Sequence, residues 1–347
     1  MNPHLSSLPF IDPASGAPLT LADAPAGQEQ WFTDAAGRRA YPLRNGIPRF
    51  VGGTTAEQEQ TTESFGFKWN KTDSYGSVGM QQMTIAWYLT KYGFASLTDW
   101  ATRYQGKRVL DVGCGSAFSA KLWLDAVTWN AGSLYVGADI SSAIDVAQGR
   151  LAHLPHVALV QADALRLPFA DGSFDFLFSE GVLHHTPSTS QALLASARKL
   201  RPGGEYHFYV YKRKAPMREW ADDYVRERLA GLSDAAAWDE MRSLTRLGKA
   251  LADTKAEITL PEAIPLLGLP AGTFNLQRFF YNHFAKAFWN DTMSFEENVH
   301  INFDWYRPAY AHRQSPEEVR AWCSEAGLAV DYMHVDDSGI TVKATRR

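Results

Sequence analysis

Short apolar runs alternate with amphipathic stretches through the middle of the chain. Runs near 108–112, 134–138, 157–161, 174–178 and 205–211 have the length of buried strands, while the stretches near 117–128, 142–152 and 188–199 space their apolar residues as helices do. Strand and helix in turn predict a parallel sheet joined by crossovers and covered on both faces. Upstream, Met83, Ala86, Trp87, Leu89 and Tyr92 recur at helical spacing, with Leu97 and Trp100 beyond, and predict one or two helices within Met80 to Tyr104. Downstream, Ser315-Pro316-Glu317-Glu318 has the form of a capping box with proline at the first helical position, and the helix it opens should run to Gly327. Two strands follow, near Ala329 to His334 and Ile340 to Ala344, joined by Asp336-Asp337-Ser338-Gly339.

Three segments lie outside this alternation. The first fifty residues read as short strands and turns, and Asn45-Gly46 between apolar residues is a hairpin signal. Gly52 to Tyr75 is rich in Gln, Thr and Glu and then carries Phe65, Phe67 and Trp69, which fits either a segment that closes over a ligand or a surface linker. Residues 212–312 form an insertion whose first part, Met217 to Leu251, is charged and helical, and whose second part carries eleven aromatics between Phe279 and Tyr310. It leaves the sheet at the carboxyl end of the fifth strand, so it should cover the site mouth and supply a substrate pocket. The boundaries are then 1–52, 53–104, 105–211, 212–312 and 313–347.

Composition narrows the chemistry. The 347 residues are 45% hydrophobic, enough for a sizeable core, and a net charge of −4 gives no basic footprint for general nucleic-acid binding. There is no run of about 18 apolar residues and no charged start with an apolar h-region, so no membrane contact is expected and a soluble, cytoplasmic protein is. Cys114 and Cys323 stand far apart, which argues against both a disulfide framework and a thiolate zinc site. The ten histidines show no His-x-x-x-His or His-Glu-x-x-His spacing, and no metal is expected.

The most informative segment is Lys107 to Phe118, a short strand running into Gly113-Cys114-Gly115. Its glycines allow a sharp turn and a close approach of backbone to ligand, as in doubly wound nucleotide-binding folds. A dinucleotide fingerprint wants a small residue where Phe118 stands, and Asp111 would repel a pyrophosphate, so a cationic ligand suits the turn better.

Val109 to Gly115 resembles motif I of the class I S-adenosylmethionine-dependent methyltransferases, of the type 11, UbiE-like kind. Four further segments match that family in order: Tyr135 to Ser141, Gln161-Ala162-Asp163-Ala164 with Leu167-Pro168-Phe169, Phe174 to His185, and Leu200 to Glu205. The third glycine usual in motif I is Ala117 here, a change expected to loosen nothing essential. The resemblance implies a doubly wound, Rossmann-like α/β sheet of seven strands with an antiparallel last strand, and S-adenosylmethionine as cofactor. By position it implies that Gly113, Cys114 and Gly115 approach the methionine portion, with Asp111 near its ammonium. Asp139, with Ile140 beside it, would take the ribose hydroxyls, and Asp163 the adenine amino group, with Ala164 in backbone contact. The N-terminal segment resembles a Trm112-like (YcaR-like) zinc-ribbon domain in which Asp12 and Ser15 stand where cysteines would be, so its metal site is lost and a packing module is expected.

On the substrate side, Glu180, His184 and His185 follow the fourth strand, on the loop that faces the transferred methyl in this family. An imidazole titrates near working pH, so His185 or His184 could serve as base, and Glu180 could orient a substrate or the cofactor. Tyr211, Trp305, Tyr306, Arg307, Tyr310 and His312 are the pocket candidates, with a cluster of core aromatics as the competing reading. The expected activity is methyl transfer to a small or medium organic molecule. The alternatives are methylation of tRNA or protein, which the weakly acidic charge opposes, and a non-catalytic adenosylmethionine-binding role.

Overall fold

The computed structural model describes residues 2–22, 30–37, 40–130 and 132–347. Met1 and residues 23–29, 38 and 39 of the expected N-terminal module, and Ala131 of the expected core, lie outside the described residues. The chain opens with an antiparallel meander, β1 (Thr20–Ala22), β2 (Trp31–Thr33), β3 (Ala40–Arg44) and β4 (Ile47–Phe50). Asn45 and Gly46 turn the β3–β4 hairpin with φ of 52° and 75°, the left-handed pair that a two-residue turn of this kind requires. Asp12 is buried and closes its own loop: its carboxylate accepts from Ser15 Oγ at 2.6 Å, Ala14 N at 3.1 Å and Tyr41 OH at 2.6 Å. Hydrogen bonds thus hold this loop together, and no cluster of metal-ligating side chains occurs among the described residues.

Residues 52–75 are mostly helix α1 (Ala56–Asn70), capped by Thr55, whose hydroxyl accepts from Gln58 N. Helices α2 (Val78–Tyr92) and α3 (Leu97–Thr102) fill the stretch that the periodicity assigned to one or two helices. The alternating region follows: β5 (Arg108–Val112), α4 (Phe118–Leu124), β6 (Leu134–Asp139), α5 (Ala143–Leu151), β7 (Val157–Ala162), β8 (Phe174–Glu180), α6 (Thr189–Ala197) and β9 (Leu200–Tyr211). Its strands send alternate residues to opposite faces. Leu110, Val112, Val136 and Val160 pack on one side with α6, while Val109, Tyr135, Leu159 and Phe176 pack on the other with α3, α4 and α5.

The insertion comprises α7 (Pro216–Ala230), α8 (Asp234–Asp253), the hairpin β10 (Glu257–Leu260) with β11 (Gly272–Asn275), α9 (Leu276–His283) and α10 (Phe295–Tyr306). Helix α11 (Pro316–Glu325) then opens on the Ser315–Glu318 capping box, and β12 (Leu328–Val335) and β13 (Gly339–Arg346) return to the sheet.

The sheet is mixed and Rossmann-like, with the order β7-β6-β5-β8-β9-β13-β12 and β13 antiparallel to both its neighbours. The expectation of seven strands is corrected, because the meander adds four more beyond β7 and the main sheet has eleven strands among the described residues. Strand β4 pairs in parallel with β7, Arg49 opposite Gln161 and Phe50 opposite Ala162. An edge strand carries backbone groups that need partners, and the N-terminal strands supply them. Phe10 packs against Phe32, Phe50 and Phe169 with ring centroids 4.7, 5.5 and 5.4 Å away, which ties the N-terminal segment to the main core.

Candidate functional site

The carboxyl ends of β5 to β9 form the floor of one large cavity of about 800 Å³, walled by α1, α2 and the insertion. Gly113 opens the floor at φ 82°, and its N–H donates to Ala138 O at 2.7 Å. A methyl group on Gly113 would lie 2.3 Å from both γ-carbons of Val182, so only glycine fits. Gly115 sits at φ 55° under the Trp69 indole, where an added carbon would meet Nε1 at 2.9 Å. Ala117, in place of the usual third glycine, is also left-handed, at φ 54°. The exchange is therefore not neutral locally: an L-residue there carries roughly 1–2 kcal/mol of backbone strain.

Two aspartates end adjacent strands at the cavity. Asp139 Oδ2 accepts from Gly115 N at 2.8 Å, and Oδ1 from Ser141 N at 2.8 Å and Ser141 Oγ at 2.6 Å. Burial raises its pKa against these donors. Asp163 Oδ1 accepts from Leu165 N at 2.9 Å, while Oδ2 accepts from Gln58 Nε2 on α1 at 3.0 Å. Helix α1 therefore reaches the floor directly, through Gln58 over Asp163 and Trp69 over Gly115.

Glu180 faces the cavity from the end of β8 and is gripped from α2, with Trp87 Nε1 at 2.7 Å on one oxygen and Tyr92 OH at 2.5 Å on the other. Burial pushes it up to about 7, against these donors. After Gly181 the chain makes a 3₁₀ turn over Leu183–His185 that separates the two histidines. His185 faces the cavity. Its Nδ1–H donates to Tyr310 O at 2.6 Å, which fixes the tautomer and leaves Nε2 a buried acceptor without a partner among the described residues. Burial lowers it to about 4, against the pull of Asp304, so the ring is neutral at neutral pH. Burial likewise opposes ionisation of Asp304, but its ion pair with Lys68 of α1 holds it well below the usual carboxylate range.

Of the residues singled out from the sequence, Gly113, Gly115, Asp139, Ile140, Asp163, Ala164, Glu180, His185, Tyr211 and Trp305 line the cavity. The others do not, for identifiable reasons. Asp111 is turned into the packed interior, where it accepts from Tyr135 OH at 2.7 Å and burial raises it to about 7. The Cys114 sulfur lies over Gly137, 2.9 Å from where a methyl there would be. His184 is fully buried under Tyr211, ring centroids 3.6 Å apart, with Nδ1 accepting from Tyr211 N at 3.3 Å. Tyr306 OH is taken by Asp222 at 2.8 Å, and Arg307 Nε by Asp234 at 2.6 Å. Tyr310 contributes its carbonyl to His185, and His312 N donates to His184 O at 2.9 Å. The side chains of His184, Tyr306 and Arg307 therefore support the cavity from outside it, and Tyr310 and His312 do so through their backbone.

Patterning along the chain marked Trp87 and Tyr92 only as apolar positions of a helix and did not single out Gln58, Lys68, Lys214 or Lys286, yet all six stand in or near the cavity wall. The aromatic triplet Phe65, Phe67 and Trp69 in a polar stretch was the one available signal. Its outer members Phe65 and Trp69 face the cavity, while Phe67 packs on Phe303.

A protein-family model described as "Methyltransferase domain" matches residues 110–208. A phthiotriol/phenolphthiotriol dimycocerosates methyltransferase of Mycobacterium leprae (strain TN) is 33% identical over 129 residues, 37% of this chain and 46% of that protein. The methyltransferase GfsG of Streptomyces halstedii is 39% identical over 103 residues, 28% of this chain and 36% of that protein. A demethylmenaquinone methyltransferase of Staphylococcus epidermidis (strain ATCC 35984 / DSM 28319 / BCRC 17069 / CCUG 31568 / BM 3577 / RP62A) is 36% identical over 103 residues, 29% of this chain and 41% of that protein. The matched stretch thus spans less than half of each of these relatives. Within that stretch lie the glycine turn, both strand-end aspartates and the Glu180–His185 loop, so the part of the chain that carries the cavity floor, residues 110–208, is a methyltransferase domain.

Proposed function

We propose that the chain transfers the methyl group of S-adenosylmethionine to a small organic acceptor held between the strand ends and the 212–312 insertion. The observation that carries this reading is the continuity of one cavity, which runs from Gly113, Asp139 and Asp163 past His185 to Tyr211 and Trp305. The residues on the floor fit the cofactor. Asp139 keeps a lone pair on Oδ2 for a ribose hydroxyl after serving Gly115 and Ser141, the Gly113–Gly115 turn admits close approach, and Asp163 stands one strand further along for the adenine amino group. Bound there, S-adenosylmethionine supplies an electrophilic methyl on a sulfonium sulfur.

The rest is the work of this chain's own side chains. Displacement at a methyl needs the acceptor in line and water kept out, and positioning of that kind contributes on the order of 7–11 kcal/mol. Helix α1 roofs the floor through Gln58 and Trp69, while Tyr211 and Trp305, with ring centroids 4.2 Å apart, form the aromatic wall against which the acceptor lies. His185 Nε2 takes the proton of an acceptor that carries one, because Tyr310 O holds the other ring nitrogen and burial keeps the ring neutral. His184 acts only by backing Tyr211. The relatives named for a dimycocerosate and for demethylmenaquinone are in keeping with an acceptor smaller than a macromolecule. Calorimetric titration of the full chain with S-adenosylhomocysteine, followed by methyl-tritium transfer to a panel of small phenols, acids and amines, tests the reading. One-to-one binding and label transfer to a small acceptor are expected, and no uptake of S-adenosylhomocysteine by folded protein would overturn it.

A further inference from the structure

The wall of the cavity beside Tyr211 is built around one indole, that of Trp305. Lys286 Nζ lies 4.9 Å from the Trp305 ring centre, Lys214 Nζ 5.5 Å, the Arg218 guanidinium 5.2 Å and the Arg226 guanidinium 5.9 Å. Among the described residues a single carboxylate answers these four cations directly. Asp222 accepts from Arg218 Nε at 2.9 Å and is filled by Trp305 Nε1 and Tyr306 OH, both at 2.8 Å. Arg226 is met by the carbonyls of Trp305 and Pro308, and Lys214 by those of Asp337 and Ser338. The nearby carboxylate of Asp304 is already paired with Lys68. Lys286 is only 6% exposed and lines the cavity, yet its ammonium makes no hydrogen bond or ion pair among the described residues.

Collecting buried positive charge without counter-charge is unfavourable unless something else supplies the negative charge. We propose that the methyl acceptor carries an anionic group, a carboxylate or a phosphate, received at Trp305 by Lys286, Lys214 and Arg218. This rests on the methyl-transfer reading and adds the acceptor's chemical class to it. Geometry fixes where the anion sits relative to the reacting atom. Tyr211 touches both sides, its ring 5.3 Å from His185 and 4.2 Å from Trp305, so the nucleophile and the anionic group of the acceptor stand about one aromatic ring apart. Burial and the neighbouring cations hold both Lys214 and Lys286 down at about 7, so an arriving anion also draws protons onto them. The charged groups facing these amines are the cations Lys212, Arg218 and Arg226 and the carboxylates Asp222, Asp304 and Asp337, with Tyr211 and Tyr306 beside them; the three carboxylates already accept from Arg218, Lys68 and Asn282 respectively.

The test is calorimetric titration of the full chain, saturated with S-adenosylhomocysteine, with benzoate, phenyl phosphate and the neutral benzamide at pH 8. At least one anion should bind tenfold or more tightly than benzamide and take up protons, read from heats in buffers of different ionisation enthalpy. A response to benzoate alone assigns a carboxylate, and one to phenyl phosphate alone assigns a phosphate. Lys286→Gln should lose at least tenfold in anion affinity while keeping its affinity for S-adenosylhomocysteine, which reports that it is folded, and Lys214→Gln is the second variant should the first misfold. Equal binding of anions and benzamide, or undiminished anion affinity in the folded variants, overturns the proposal. Failure of the wild-type chain to bind S-adenosylhomocysteine refutes the methyl-transfer reading instead, and the same anion titrations on the ligand-free chain then still decide whether the cluster takes an anion.

Discussion

Replacing Asp139 with Asn tests the cofactor floor at its most constrained point. The native carboxylate accepts on both oxygens, from Gly115 N on one and from Ser141 N and Oγ on the other. An amide has one oxygen, so in either orientation its nitrogen faces a buried N–H, and an unsatisfied buried donor costs about 1–3 kcal/mol. The melting temperature of the ligand-free chain should therefore fall by several degrees. Ligand binding suffers separately, because the hydrogen bond from a ribose hydroxyl to a charged acceptor becomes a bond to a neutral one. At about 1 kcal/mol lost, the affinity for S-adenosylhomocysteine should fall roughly fivefold. The discriminating measurement is calorimetry with S-adenosylhomocysteine and its 2′-deoxy analogue on both proteins. Removing the hydroxyl should weaken binding to wild type more than to Asp139→Asn. Affinity in the variant within twofold of wild type, or an equal penalty for the missing hydroxyl in both proteins, refutes a ribose contact at Asp139.

Gly113→Ala should destabilise the fold by roughly 3 kcal/mol, from left-handed strain of about 1–2 kcal/mol and overpacking against Val182 of similar size, and adding Val182→Ala should recover only the packing part; equal denaturation midpoints for the single and double variants would contradict the 2.3 Å contact. Glu180 has its folded pKa raised by burial to about 7, so the stability it confers is full below its free value of 4.5 and is lost as pH rises through about 7. Denaturant titrations should then show Glu180→Gln gaining on wild type between pH 5 and 8, by on the order of 3 kcal/mol, and parallel pH profiles would count against the buried carboxylate. His185→Ala should lower kcat by about 10²–10⁴-fold for a protonated acceptor with S-adenosylhomocysteine affinity unchanged. In wild type, burial keeps His185 from protonating until about 4, so no inflection from this group should appear near 6.5 in the pH–rate profile; one that vanishes in the variant would refute the assignment.

The sequence by itself determined the parts that depend on neighbours along the chain. The β5–Gly113-Cys114-Gly115–α4 turn, the alternation of strands and helices, the Ser315 capping box, and Asp139 and Asp163 at strand ends could all be read because strand, helix and turn chemistry repeat over a few residues. Periodicity also told that a strand was buried, but not which residues at its carboxyl end would meet the cavity. Asp111 and Gly113 are two residues apart, which the pleat alone would send the same way, and the turn after β5 leaves Asp111 on Tyr135 and brings Gly113 to the cavity. Only the tertiary structure decided what lies between distant segments. Strand β4 found the edge of β7, Trp87 and Tyr92 closed on Glu180 across 93 and 88 residues, and Lys68 met Asp304 across 236. The cationic cluster at Trp305 has the same origin, since Lys214, Arg218 and Lys286 lie on separate turns of the insertion and share one ring only when it folds over the sheet. Local propensity acts within a few residues, whereas burial, pairing and the resulting charge environment depend on contacts that no pattern along the chain encodes at that distance.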